Sequence, residues 1–100
     1  MHVAVCRLTV HVYASQSLKD KRQVVQSLCE KLRHRFSVSV AEVGGHEKWQ
    51  VALVGIAAVS GDASRAREIV QRAAEYAQEA APEAEVTSTG VDLFDYGEAD

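Results

Sequence analysis

One hundred residues, 47% hydrophobic and 25% charged, have the size and balance of a single folded domain with one core, and nothing in them reads as disordered or low-complexity. The net charge of −3 conceals a split: residues 1–40 hold seven Lys and Arg against two Asp and Glu, and residues 41–100 hold four against twelve. A cationic patch on an acidic chain can steer a polyanion locally. The apolar opening Met1–Tyr13 is broken by Arg7 and His11 and lacks a basic leader and a cleavage site. It therefore reads as neither signal peptide nor membrane span, and a cytoplasmic location is expected.

From His2 to Tyr13 the residues Ala4, Cys6, Leu8, Val10 and Val12 alternate with Arg7, Thr9 and His11, predicting a strand with one buried face. Ser17 then suits an N-cap with Asp20 three residues on. Leu18, Val25, Leu28, Cys29 and Leu32 share one side of a helix predicted from about Leu18 to about His34. Phe36 to Val43 alternates again, and Gly44-Gly45 supplies a hairpin connection. The strand predicted from Trp49 to Ser60 is apolar on both faces, with Val51, Leu53 and Val59 on one and Ala52, Val54 and Ile56 on the other. That pattern suits a central strand covered on two sides. Asp62 can cap a helix that packs through Ala66, Ile69, Val70, Ala73 and Ala77, with Glu68 and Arg72 as a four-residue ion pair, and Pro82 ends it. A last strand from about Val86 to Phe94 alternates poorly and contains Gly90. Cys6 and Cys29, each among apolar neighbours, read as reduced core residues.

The order β-α-β-β-α-β predicts an α+β, ferredoxin-like sandwich: four antiparallel strands with two helices on one face. Its first and third strands are central neighbours, which brings Trp49 near Tyr13. Helices cover only one face of the Trp49–Ser60 strand, so the second apolar face needs another cover. Sheet-mediated self-association as a homodimer is the expectation, with Tyr13, Trp49, Val51 and Leu53 as interface candidates.

Ser17-Leu18-Lys19-Asp20-Lys21-Arg22, then Arg35-Phe36-Ser37-Val38-Ser39-Val40-Ala41-Glu42-Val43, then Trp49-Gln50 and Val59-Ser60 together resemble the YlxP-like proteins, a bacterial family of unknown function. The resemblance spans nearly the whole chain and implies one ferredoxin-like domain over residues 1–100. It also implies a genomic context of translation and ribosome maturation, with no established activity and no catalytic residues to carry over. Nothing is carried over to the acidic tail from Asp92 to Asp100.

Lys19, Lys21 and Arg22 stand in the first helical turn, where the helix dipole disfavours cations by about 0.3–1 kcal/mol each. Stability alone would not select them. They and Arg33 and Arg35 are therefore candidates for binding phosphate groups or RNA, against the plainer reading of a solvated face on which Lys21 lays its stem along the apolar edge. Glu30 interrupts the stripe formed by Lys19, Arg22, Gln26 and Arg33. Trp49 or Tyr13 can stack a base on an open sheet, although packing or dimer contact explains both at less cost.

His2, His11, His34 and His46 share no metal-ligand spacing, so no metal and no cofactor is expected. Ser15, Ser17 and Ser60 lack an activating His and acid, and no phosphate-binding glycine loop is present. Asp20 and Glu42, a carboxylate pair the fold can juxtapose, are explained at less cost by capping and strand-end solvation. The chain reads as non-enzymatic. Two readings follow: a binding module, homodimeric, that docks its basic helix on RNA or a ribosome-associated surface, and a structural or protein-interaction module that assembles through its open sheet face.

Overall fold

Strand β1 (His2–His11) turns its even residues Ala4, Cys6, Leu8 and Val10 inward, and all four are buried, as alternation on a half-covered strand requires. The computed structural model describes residues 1–97 and continues with α1 (Leu18–Arg35), β2 (Ser39–Gly44), β3 (Val51–Ser60), α2 (Ala63–Ala80), β4 (Glu85–Ser88) and β5 (Asp92–Asp95). The strands make one antiparallel sheet in the order β2-β3-β1-β4, and β5 also pairs with β1. Two helices over one face of this sheet give the expected α+β, ferredoxin-like arrangement.

Local chemistry sets the helix limits. Ser17 is extended and its Oγ accepts the Asp20 N–H at 3.1 Å, while the Asp20 carboxylate reaches back to the Gln16 N–H at 3.3 Å, a reciprocal cap. At the far end the Phe36 N–H donates to Leu32 O at 3.0 Å and the backbone then turns extended. Phe36 thus closes α1 instead of opening the next strand, which begins three residues later than expected. Asp62 caps α2 by accepting from the Ser64 and Arg65 N–H groups at 2.9 and 3.4 Å. Helix α2 buries Ala66, Val70, Ala73, Ala74 and Ala77; these small side chains let its backbone lie close over β1 and β3. Helix α1 buries the larger Val25, Leu28 and Leu32 with Cys29 and packs on β2, β3 and α2. Cys6 and Cys29 are both free and buried, and burial pushes both thiols up.

Two one-residue bulges shape the sheet edges. In β2, Glu42 pairs with Val54 and Gly44 with Leu53, so Val43 is the extra residue. Gly44 tolerates this because a Cβ there would lie 2.9 Å from Leu53 Cδ1, and Gly45 then turns the chain at φ 76°. On the other edge, Ser88 pairs with Leu8 and Asp92 with Val5: four residues on one strand are spanned by three on the other. The single last strand expected over Val86–Phe94 is therefore two short strands, β4 and β5, separated at Thr89–Val91. Thr89 Oγ1 mends the break by accepting the Arg7 N–H at 2.9 Å, and the Thr89 N–H donates to Arg7 O at 3.0 Å. Much of the segment expected as an acidic tail is strand β5; residues 98–100 lie outside the described part.

Candidate functional site

The expected cationic patch divides in the structure. Lys21 lies one turn before Val25 and two before Leu28, so it falls on the inward stripe of α1, and it is 2% exposed. Its ammonium donates to Gly45 O at 2.6 Å and Val51 O at 3.2 Å, and it stands 3.5 Å from Glu42 Oε2. A buried ammonium requires such partners. Two carbonyls and a carboxylate therefore clamp the β2–β3 hairpin to the first turn of α1, and Lys21 is unavailable to any external anion. This corrects its place among the binding candidates.

The other four candidates are exposed. Arg33 donates through Nη2 to Val40 O at 2.6 Å, and Arg35 lies 4.6 Å from the centre of the Tyr76 ring, a cation–π distance. Arg22 and Arg33 line a groove toward β2 together with Gln26 and Glu30, whereas Arg35 lines one toward α2 with Lys31, His34 and Tyr76. The cations occupy two flanks of the helix in place of one stripe, and Glu30 borders both.

The serine hydroxyls are engaged in turns. Ser15 donates to Ser17 O at 2.9 Å, Ser17 caps α1, and Ser60 Oγ accepts the Asp62 N–H at 3.0 Å. Asp20 caps and Glu42 faces Lys21, so these carboxylates serve separate structural contacts. Among the described residues no cluster of three His, Cys, Asp or Glu forms a metal-ligating group, and no helix is long and apolar enough to cross a membrane.

The face of the sheet opposite the helices has a different character. The register places Val3, Val5, Arg7, Thr9 and His11 of β1 beside Val59, Ala57, Gly55, Leu53 and Val51 of β3. Of the four interface candidates, Val51 and Leu53 lie on this side by register and Tyr13 by its stacking on His11. Val51 and Leu53 are half-buried, while Tyr13 and Trp49 are 59% and 58% exposed. The Val12 N–H donates to Gln50 O at 2.7 Å, which carries the ladder one pair beyond the strands, and the Gln50 side-chain amide donates to Tyr13 O at 3.0 Å, so the segment entering β3 lies against Tyr13. Tyr13 stacks on His11 with ring centres 3.9 Å apart. Its hydroxyl donates to Glu85 Oε1 at 3.0 Å, and that bond pushes the phenol above its ordinary range.

Sequence reasoning missed Val43 and Phe94 as members of this face; they are 57% and 56% exposed. Phe94 follows the break between β4 and β5, where a single extra residue reverses which parity points outward, whereas Val43 is itself the extra residue of β2 and keeps the parity of the outward Ala41. Val3 and Val5 were readable from the odd positions of β1. A shallow apolar groove bordered by Val5, Ala41, Val43, Gly55 and Ala57 runs across the face.

Comparisons with known proteins bear on this arrangement. The model of a family described as "Protein of unknown function (DUF503)" matches residues 3–91. "Uncharacterized protein YlxP" of Bacillus subtilis (strain 168) is 34% identical over 83 residues, which cover 83% of this chain and 89% of that protein. Among solved structures, the de novo designed protein Foldit4 superposes with a TM-score of 0.51 at 17% identity, covering 97% of this chain and 100% of its own, a likeness of fold alone. The extent of the family match and the identity to YlxP place this chain in the DUF503 family of YlxP-like proteins, a family of unknown function.

Proposed function

We propose that this domain is a non-enzymatic interaction module that assembles as a homodimer through the open face of its sheet. One observation carries the reading: Val3, Val5, Val43, Leu53, Val59 and Phe94 share a face that no helix covers. Contiguous apolar surface of this extent marks an interface on soluble proteins. Size-exclusion chromatography with light scattering tests it. The expected result is a dimer mass for the wild type and a monomer mass for Leu53→Asp with an unchanged circular dichroism spectrum. A wild-type monomer throughout the micromolar range rejects it.

The exterior of α1 favours a second reading, docking on RNA or a ribosome-associated surface. Without Lys21 the helix still exposes Lys19, Arg22, Lys31, Arg33 and Arg35 against Asp20 and Glu30. These cations lie on the helix layer, away from the open sheet, so docking and self-association do not compete. Phosphate contacts release counterions and make binding steeply salt-dependent. Co-sedimentation with ribosomal particles should occur at low salt, fade as salt rises, and be lost in Lys19→Glu/Arg22→Glu. Association indifferent to salt and to that substitution removes this reading.

A further inference from the structure

We propose that the cover of the open face is a second copy of this chain, related by a two-fold axis that crosses the strands at the level of Cys6 and Ile56, and that Arg7 pairs across the interface with the partner subunit's Asp92. This rests on the homodimer reading above and adds its geometry and its charge pairing.

Size comes first. Ten-residue central strands in a sheet four strands wide span about 33 by 19 Å, a projected area of about 600 Å². Side chains raise the accessible area of such a footprint toward the roughly 800 Å² per partner of a standard stable interface. The face alone suffices for a dimer provided nearly all of it is used. Full overlap requires an axis through the middle of the sheet, which falls between the pairs Cys6–Ile56 and Arg7–Gly55; the second level would set two Arg7 guanidinium groups face to face, which leaves Cys6–Ile56.

The side chains of β3 agree with that position. Gly55 and Ala57 flank the Ile56 level on the open face, with Leu53 and Val59 one step further out on either side. An axis crossing the strands there sets Gly55 against the partner subunit's Ala57 and Leu53 against the partner subunit's Val59. The smallest residues meet at the centre and the larger ones fill the space toward the ends, where twisted sheets diverge.

Charge decides between the two axes that give full overlap. Arg7 lies at the centre of the face, exposed, and is in no ion pair among the described residues. Covering it without an acceptor is costly. Two carboxylates flank the face: Glu85, which already accepts from Tyr13, and Asp92, which pairs with Val5 in β5. The crossing axis exchanges the levels of Val5 and Arg7, so it brings the partner subunit's Asp92 to the level of Arg7, one strand to the side, and does so twice by symmetry. An axis along the strands instead lays Arg7 over the partner subunit's Gly55 and Asp92 over the partner subunit's Ser39. Both charges would then be buried unmatched.

Sedimentation velocity over a concentration series tests the pairing. Arg7→Asp and Asp92→Arg should each raise the dimer dissociation constant by about ten-fold or more, and the double variant should recover most of that loss, as direct partners do in a double-mutant cycle. Arg7→Gln and Asp92→Asn repeat the test without reversing charge, and the melting temperature of each variant monitors folding. A wild-type dimer with dissociation constants indifferent to these changes, or a double variant no tighter than the singles, overturns the Arg7–Asp92 geometry and leaves the homodimer standing. A wild-type monomer overturns both.

Discussion

Lys21 and Arg7 are both cations set among apolar residues, on opposite faces of the same sheet, and they have been treated differently. Lys21 on the helix side is sealed, with two carbonyls and a carboxylate supplied by the β2–β3 hairpin. Arg7 on the open side keeps its guanidinium in solvent, with no ion pair among the described residues. A finished interior gives each charge its partners in advance. The open face is unfinished by the same measure, and its central charge shows what a cover has to bring.

Removing the sealed cation tests this contrast most severely. Lys21→Ala leaves the Glu42 carboxylate and two carbonyls without their donor and should cost about 3–5 kcal/mol in urea unfolding. Lys21→Met/Glu42→Leu should recover only part of the loss, since an apolar pair replaces the ion pair at little cost but leaves the Gly45 and Val51 carbonyls without a donor. If Lys21→Ala unfolds like the wild type, the clamp is not a structural contact. The next test sets the two faces of the sheet against each other. Leu8 is wholly buried under the helices, and Leu8→Ala should cost about 2–5 kcal/mol. Leu53 on the open face should lose only about 1 kcal/mol as Leu53→Ala in the monomer, while weakening the dimer. Equal losses at both positions would erase the distinction.

The smallest effect lies at the helix edge. The Ser64 hydroxyl and the Arg65 and Ser64 N–H groups hold the Asp62 carboxyl below its usual range. Its folded value is thus depressed, so its stabilising contribution is complete above the unfolded value of about 3.9 and is lost as pH falls through the folded value. Asp62→Ala should therefore melt lower than the wild type at neutral pH, by a margin that shrinks in acid. A margin constant across pH excludes the carboxylate as its source.

The parts of the fold legible in the sequence were those where hydrophobic period and element coincide. The alternation of β1, both caps and the Glu68–Arg72 pair, observed at 3.5 Å, are local statements that neighbouring residues decide. The doubly apolar pattern of β3 also made the open face legible. The last strand was unreadable as one element because the extra residue at Thr89–Val91 reverses its parity. Val86 faces inward opposite Val10, and the inward residue of β5 is Leu93, opposite Ala4. The role of Lys21 was half visible. Its position on the inward stripe could be counted from Val25 and Leu28, but the partners that make burial tolerable come from a hairpin 24 and 30 residues away. Charge density in a sequence does not distinguish a lysine that faces water from one that carbonyls enclose.

The extra residues in β2 and between β4 and β5 fall on the two outermost positions of the sheet. An irregular rim offers a poor template for another strand, so lateral growth into longer sheets or fibres is blocked on both sides. Stacking through the open face is the mode the proposed dimer uses, and with both open faces covered a third copy has no such face to join. Such an assembly stops at two.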